Sequence, residues 1–477
     1  MDFRVSFVAQ IMKTPDQIII EELKRIVLMQ AQDIDRMMRK IKEIEVLQRR
    51  INDLENELAR YKTRKDSSNS SLPPSKDENK PPRTSSLREK SGRKAGGQPG
   101  HEGKTLEMTD TPDEIIEHRS CFCPECGKDV SDLPFELFGK RQVIDIPTIK
   151  QVVTEHRVYR CKCTCGNMVE SDFPVGVDSP VRYGKNIETL IGYLSVRQYL
   201  PFKRLQEMLN DIFKVKISEG GLHWLLNRLA SKGVDAYEMI RQNVLHSRVI
   251  GTDETGVKIN GKKHWFWTWQ NERATFITAS ANRGMATIDE NVTGISHEAV
   301  LVHDCWKAHF QTQVESHQLC TAHLERETKY LEERYKADWP VRFRSMLREA
   351  HKLKKQLKPV DYYYPNLSRD RLERELDNLL AEPLDPKHKE ILAFQKRITR
   401  YRDHVFTFLY HPDVPPDNNG SERAIRNVKV KQKISGQFKI PGAAENFAIL
   451  RSIIDTATKN KQNVLQALNV IANYKTN

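Results

Sequence analysis

The sequence has no long hydrophobic run. Among its 477 residues, no apolar stretch approaches the roughly 20 residues that span a bilayer. The opening stretch, MDFRVSFVAQIMK, is too short in apolar residues for a secretory signal and has no small-residue cleavage site. We therefore expect a protein of the reducing cytoplasm with no membrane partner.

Negative charge is also in short supply. The chain has 77 Lys and Arg against 64 Asp and Glu, a formal net charge of +13. Such an excess favours a polyanionic partner, either nucleic acid or an anionic membrane surface. The length is enough for about three domains, and the composition changes several times along the chain.

Residues 14–64 are predicted to form one long helix. Thr14, Pro15 and Asp16 are typical of a helix start, with a capping residue followed by proline at the first helical position. Apolar residues then recur at spacings of three and four, as in a coiled-coil seam: Ile34, Met37, Ile41, Ile44, Leu47, Ile51, Leu54, Leu58 and Tyr61. The seam favours a homo-oligomer, with an intramolecular helical hairpin as the alternative. Residues 1–11 fit no later pattern, so Met12 is a candidate start.

The block 65–117 is predicted to be a disordered basic linker. Residues 65–105 are rich in Ser, Pro, Gly and Lys and have almost no large apolar side chain, so they cannot bury a core. The run GRKAGGQPGH places Arg93 and Lys94 beside glycines that let a backbone approach closely. We expect these two cations to contact DNA phosphates or a minor groove; a solvated linker is the alternative.

The block 118–180 contains six of the eight cysteines. Cys123 and Cys126 form a Cys-x-x-Cys knuckle, and YRCKCTCGN supplies a second cysteine turn. The segment between them, KRQVIDIPTIKQVVTEHRVYR, alternates like strands. This pattern predicts a zinc ribbon with a structural Zn²⁺ held by Cys123, Cys126, Cys161 and Cys165. Cys163 is the alternative for either of the last two, and buried cysteines without metal are the alternative to the site.

The block 181–245 is predicted to be a helical DNA-binding domain. Short helices are joined by tight turns, and cations such as Lys203 and Arg204 lie between them. This arrangement is typical of a helix-turn-helix-like bundle that contacts DNA. A plain helical linker domain fits the same spacing.

Residues 246–440 change to an α/β texture. The strand in SRVIGTDETGVKI precedes a hairpin turn at Asn260 and Gly261. Trp265, Trp267 and Trp269 alternate on the next strand and are interpreted as core, with a base-stacking platform as the alternative. HEAVLVHDCWKAHF predicts another buried strand. A charged helical insertion is expected over about 325–410, and residues 441–477 are expected to be a C-terminal helical segment.

Three acids are candidates for catalysis in this region. Asp253 and Asp304 are each predicted to end a strand, and Glu422 begins a helix in PPDNNGSERAIRNVKVKQK. Converging carboxylates need cations to neutralise them, and two Mg²⁺ ions about 3.5–4 Å apart also clamp the oxygens of a phosphodiester. The layout is that of an RNase H-like nucleotidyl transferase. Glu254 is the rival of Asp253, while Asp289 and Glu290 fall in a predicted loop.

Basic residues follow Glu422 on the same predicted helix. Arg423, Arg426 and Lys429 are expected to hold the backbone of double-stranded DNA. The alternative is a solvated basic helix face, with Arg426 paired to Glu422 four residues earlier.

The blocks GTDETGV, VLVHDCW and DNNGSERAIRNVKVKQKISGQF resemble the three acidic blocks of DDE transposases of the insertion-sequence-sixty-six family. The resemblance extends over nearly the whole chain, including SSLPPSKD, RKAGGQPGHEG and RQYLPFKRLQEMLNDIF. It implies that Asp253, Asp304 and Glu422 are the catalytic triad and bind Mg²⁺ or Mn²⁺. It also implies cleavage at the ends of a mobile element, with the freed 3′-hydroxyl attacking target DNA.

Cys320 and His323 are similar to a Cys-x-x-His signature found in several DDE transposase groups. The resemblance implies that His323 supports the active site or contacts phosphate; a metal site including His317, or helix packing, are the alternatives. It further implies a prokaryotic, nucleoid-associated protein with small accessory proteins. A non-catalytic domesticated DNA-binding protein and an RNase H-like nuclease without strand transfer are the competing hypotheses.

Overall fold

The computed structural model describes residues 14–62, 69, 106–147, 149 and 151–474. These residues form two compact units. The first unit contains the described residues of 14–69, 183–202 and 220–474; the second contains those of 106–182 and 203–219. No helix among them combines the length and the apolar character needed to cross a bilayer. Arg93 and Lys94 lie outside the described residues, as does Met12.

Helix α1 spans Pro15–Lys62, as the start signal predicted. The Thr14 hydroxyl accepts from Gln17 N at 3.4 Å, and Thr14 N donates back to Gln17 Oε1 at 3.1 Å. This reciprocal capping box stabilises the first turn. The apolar seam is left about half exposed along the helix, as at Ile44, which is 61% exposed.

The second unit contains a small hairpin of β1, Arg160–Lys162, and β2, Met168–Glu170. The strands predicted between the two cysteine turns are wrong: no described residue of 140–159 is in a strand. The alternating apolar side chains there, such as Val143 and Val152, remain exposed. An alternating pattern favours a strand only where a second layer of the structure buries one face. No such layer covers the described residues of this segment.

The helical region has the predicted character. Helices α2 (Lys185–Gly192), α3 (Phe202–Phe213), α4 (Glu219–Lys232) and α5 (Val234–Leu245) follow one another, with a π-helical turn at Tyr193–Arg197 after α2. In the first unit, buried Glu188 on α2 binds Arg228 at 2.6 Å and Lys232 at 3.2 Å on α4. Gly192 lies so close to α4 that a Cβ there would be 2.5 Å from Leu229 Cδ2.

A five-stranded mixed sheet is the centre of the first unit. The strands β3 (Val249–Ile259), β4 (Lys262–Gln270), β5 (Thr275–Ser280), β6 (Val300–His303) and β7 (Ser316–Leu319) lie in the order β5-β4-β3-β6-β7. The first three strands in sequence are antiparallel, whereas β6 runs parallel to β3 and β7 parallel to β6. The turn between β3 and β4 has φ of 48° at Asn260 and 73° at Gly261, as the hairpin signal predicted.

The tryptophan stripe on β4 was predicted to be core, and this is confirmed for Trp267 and Trp269, whereas Trp265 is only half-buried. Trp267 and Trp269 are buried and their rings stack 5.6 Å apart. The loop predicted at Asp289 and Glu290 is wrong, because α6 spans Met285–Val292. Ile288 and Val292 are buried on one side of that helix, and Asp289 and Glu290 lie on its exposed side.

The predicted insertion is helical, with α7 (Thr321–Tyr335), α8 (Trp339–Gln356), α9 (Leu367–Ala381) and α10 (Lys389–Arg400). Its apolar core is continuous with Val300, Val302 and Leu319 of the sheet. Three further helices complete the unit: α11 (Asn419–Ser435), α12 (Pro441–Lys459) and α13 (Val464–Asn473). Helix α11 packs on β3 and β4, and α12 packs on β5.

Candidate active site

Three carboxylates from distant parts of the chain lie near one another in the first unit. Gly251 of β3 is opposite Val302 of the parallel strand β6. Asp253 and Asp304 each lie two residues beyond this pair, so they belong to the same side of the sheet. Glu422 is in the first turn of α11, the helix that packs on β3. Asp304 directly follows β6, but Asp253 does not end its strand, because pairing with β4 extends β3 to Ile259.

The electrostatics of Asp253 reflect this proximity. Burial raises the pKa of Asp253 well above its ordinary value of 3.8, and the charges of Glu254, Asp304 and Glu422 raise it further. The hydrogen bond from Glu254 N to Asp253 Oδ1, at 2.9 Å, acts in the opposite direction. The site therefore concentrates negative charge where solvent cannot disperse it.

Glu422 is surrounded by three groups that orient its carboxylate. Its side chain is 13% exposed. Arg326 of α7 donates to Oε1 at 3.0 Å, and Arg426 donates to Oε2 at 3.4 Å. His323 Nδ1 lies 3.7 Å from Oε1. Burial lowers the pKa of His323, as does the Arg326 charge, so the imidazole beside Glu422 is neutral near pH 7.

Cys320, His323 and Glu422 have one ligand atom each within 4.8 Å of one another, a group of three that stands alone among the described residues. Cys320 Sγ accepts a hydrogen bond from Asn418 N at 3.2 Å, and burial raises the pKa of this thiol to about 12. His317 is not part of this group. Its Nδ1 instead lies 2.9 Å from His303 Nε2. The Cys-x-x-His segment thus contacts the third acid.

Comparison with known protein families agrees with this site. The family described as "Transposase IS66 family" matches residues 180–446, which include all three acids. The chain belongs to the IS66 transposase family. A family of unknown function (DUF6444) matches residues 13–107. No curated protein matches the chain.

Glu254, the rival of Asp253 in this family member, has binding partners of its own. Its side chain is 2% exposed and is bound by Arg283 at 2.7 Å and by His309 Nε2 at 3.2 Å. Burial raises the pKa of Glu254, but the hydrogen bonds from His309 and Arg283 outweigh burial and leave the pKa below its ordinary value. Adjacent strand residues face opposite ways, and here Glu254 faces the core.

The residues expected to contact DNA have different surroundings. Arg423 and Arg426 are exposed on α11. Lys429, by contrast, donates from Nζ to Gly256 O on β3 at 2.5 Å. In the second unit, Lys203 and Arg204 are exposed on α3.

A cavity of about 910 Å³ opens beside the N-terminal half of α11. Gly251 and Gly420 line it, and a Cβ on Gly420 would lie 2.5 Å from Gln270 Nε2. The cationic lining residues are Arg248, Arg273, Arg423 and Lys459. The turn formed by PPDNNG thus borders an open cavity, and the third acid follows that turn by two residues.

The cysteines of the second unit form two turns with matching hydrogen bonds. Cys123 N donates to Lys128 O at 2.8 Å and Gly127 N to Cys123 O at 2.9 Å. Cys163 N donates to Asn167 O at 2.7 Å and Gly166 N to Cys163 O at 2.9 Å. Backbone hydrogen bonds within each turn lower the pKa of Cys123 and that of Cys163. The matching position of Cys123 is therefore Cys163, whereas Cys161 lies on β1 opposite Val169.

Arg326 is a site residue that the sequence interpretation missed. Its signal was present, because Arg326 follows His323 by three residues and helix residues three apart share a face. Arg283 and His309, the partners of Glu254, had no such signal: they are 29 and 55 positions away from it in the chain.

Proposed function

We propose that this IS66 family member is a DNA transposase that cleaves the ends of a mobile element and joins the freed 3′-hydroxyls to target DNA. Asp253, Asp304 and Glu422 are the catalytic carboxylates. The observation that carries the proposal is the convergence of these three acids from three separate elements of the matched region. The charges of Asp304 and Glu422 reach buried Asp253 and add to the rise in its pKa that burial causes. A structural role would not require three acids to come together in this way.

The sheet supports an RNase H-like catalytic domain. Its order, with three antiparallel strands followed by two parallel ones on the far side of β3, is the one expected for that fold. The acids lie on the first strand, after the fourth strand and on a later helix, which agrees with the predicted layout.

The carboxylates fit a site for Mg²⁺ or Mn²⁺. Oxygen ligands are what these cations prefer. Burial, and after it the charges of Glu254, Asp304 and Glu422, raise the pKa of Asp253, so a bound cation would favour its ionised form. Asp253, Asp304 and Glu422 would hold the cations. When bound, the cations supply charge stabilisation to the phosphoryl group being transferred.

The chain's own groups would orient the third acid and the DNA. Arg326 and the neutral His323 hold the Glu422 carboxylate from the α7 side. Arg423 and Arg426 lie on the exposed face of α11 next to Glu422 and are suited to contact the DNA backbone. Lys203 and Arg204, together with Arg93 and Lys94, are proposed as further contacts along the DNA.

Residues 118–180 of the second unit are proposed to form a zinc ribbon. The two cysteine turns support the proposal, and their hydrogen bonds favour Cys163 over Cys161 as the partner of Cys165. Exposed apolar side chains such as Val152 and Val153 indicate that this segment buries little core, so metal would supply its folding energy. The exposed seam of α1 is proposed to pair with a second copy of the chain.

Strand-transfer assays distinguish the candidate functions. Purified protein is incubated with element-end DNA, a target plasmid and Mg²⁺, and both cleaved ends and joined products are measured. A transposase gives both products, and Asp304→Ala abolishes both. Cleavage without joining indicates a nuclease, and binding without cleavage indicates a non-catalytic DNA-binding protein.

A further inference from the structure

Glu254 is a buried acid that the proposed triad does not use. Its side chain is 2% exposed, and it lies opposite Trp267 of β4. Arg283 donates to Oε1 from Nε at 2.9 Å and approaches it with Nη2 at 2.7 Å. His309 Nε2 lies 3.2 Å from Oε2. The Glu254 carboxylate is therefore bound by two residues from elsewhere in the first unit.

Both residues that bind Glu254 also lie close to Asp304 or to its hydrogen-bond partner Trp306. His309 Nε2 lies 4.0 Å from Asp304 Oδ1, so one ring nitrogen is close to two carboxylates. The Arg283 guanidinium lies 3.7 Å from the ring centroid of Trp306. Trp306 N in turn donates to Asp304 Oδ1 at 2.8 Å. The turn that carries Asp304 therefore meets both partners of Glu254. His309 approaches Asp304 itself, and Arg283 packs on Trp306, the residue that donates to Asp304.

Packing alone does not account for this arrangement. His309 is 1% exposed, and its ring lies edge-on to Trp267 at 5.8 Å and 5.0 Å from the ring of His303. A buried ionised pair is often no more stabilising than apolar side chains of the same volume, because both charges lose their hydration. A carboxylate and an imidazole kept in this core beside Asp304 thus indicate a role in orienting that acid.

We propose that His309, held by Glu254 and Arg283, is a positioning residue that fixes the orientation of the Asp304 carboxylate for cation binding. Groups placed behind a metal-binding carboxylate govern its metal affinity, and His309 acts on Asp304 at 4.0 Å rather than through a direct hydrogen bond. The inference rests on the proposed function, because it takes Asp304 as a cation ligand. His309 itself does not touch the reacting atoms.

Three substitutions at one position test the geometry. The full-length protein is assayed for cleavage of element-end DNA across a Mg²⁺ titration, with wild type, His309→Ala, His309→Gln and His309→Asn. We expect His309→Ala to slow cleavage about 10–100-fold and to raise the half-maximal Mg²⁺ concentration, with the KM for DNA unchanged. Glutamine places an amide nitrogen near the position of Nε2 and should recover most of the activity; asparagine places it near Nδ1 and should not.

Matched variants keep the inference separate from the proposed function. His297→Ala changes an exposed histidine and should behave as wild type. Glu254→Gln leaves His309 in place and should also raise the Mg²⁺ requirement, which tests the inference if His309→Ala does not fold. Activity in Asp304→Asn would contradict the proposed function itself. If Asp304→Asn is inactive but His309→Ala keeps wild-type Mg²⁺ dependence, or if all three His309 variants lose activity equally with a lower Tm, the positioning role is wrong.

Discussion

Arg326 donates a hydrogen bond to Glu422 Oε1 at 3.0 Å. The two residues are 96 positions apart in the chain and lie on different helices. The bond connects the first helix of the insertion to the helix that carries the third acid. The insertion therefore contributes a residue to the candidate active site, in addition to packing against the sheet. Arg326 orients the Glu422 carboxylate that we propose binds a cation.

Removing the Arg326 side chain should lower activity without unfolding the protein. A hydrogen bond to a charged group contributes about 1.5–3 kcal/mol, so Arg326→Ala should slow DNA cleavage roughly 10–100-fold. Arg326→Lys keeps the charge and should recover part of the rate. Lys329→Ala, on the exposed side of the same helix, is the control. An unchanged rate in Arg326→Ala would show that Glu422 is oriented by other groups.

Asp253→Asn should make the metal-free protein more stable at neutral pH. In the folded protein, burial and the charges of Glu254, Asp304 and Glu422 raise the pKa of Asp253 above its unfolded value of 3.8. This carboxyl therefore contributes full stability below pH 3.8, and the contribution is lost as the pH rises through the raised pKa. Asparagine does not ionise, so the variant should have the higher Tm near pH 7.

Thermal melts in EDTA over a pH series measure this difference. The gap between wild type and Asp253→Asn should close towards pH 4 and should narrow at neutral pH when Mg²⁺ is added. Asp289→Asn, an exposed acid on α6, should show no such pattern. A wild-type Tm equal to that of Asp253→Asn at every pH would mean that the acids do not repel one another.

Zinc removal should unfold residues 118–180 and leave the first unit intact. Elemental analysis of freshly purified protein should find one zinc per chain, and Cys126→Ser should lose it. Cys163→Ser should lose zinc as well, because Cys163 matches Cys123 in its turn, whereas Cys161→Ser should retain it. Zinc-free wild-type protein would contradict the ribbon.

The long helix should hold two or more copies of the chain together. Ile44 and Leu54 of α1 are 61% and 58% exposed, which is costly for an isolated helix in water. Light scattering should show an oligomer for wild type and a monomer for the double variant Ile44→Asn and Leu54→Asn. Lys42→Asn, off the seam, should remain an oligomer. A wild-type protein that is monomeric both with and without DNA would contradict the proposed oligomer.

Local signals predicted the elements of the fold well. The start at Thr14, the turn at Asn260 and Gly261, and the buried Trp267 and Trp269 all follow from patterns within a few residues. The segment 140–159 was predicted wrongly as strands, because its alternation was not matched by a layer that buries one face. The pattern of residues within a segment does not show which other element will pack against it.

The acids of the site were predictable, but their surroundings were not. Asp253, Asp304 and Glu422 follow from their places relative to strands and a helix start. Arg326, Arg283 and His309 bind carboxylates across 96, 29 and 55 positions, and only the folded chain brings such residues together. The position of Asp253 within β3, rather than at its end, likewise depends on pairing with β4.

The central claim is that Asp253, Asp304 and Glu422 act together as catalytic carboxylates. Its most direct test is Mg²⁺-dependent cleavage of element-end DNA by wild type and by Asp253→Asn, Asp304→Asn and Glu422→Gln, each shown to be folded and to bind the DNA. We predict cleavage by the wild-type protein and its loss in all three variants. Wild-type rates of cleavage in any one of them would contradict the account.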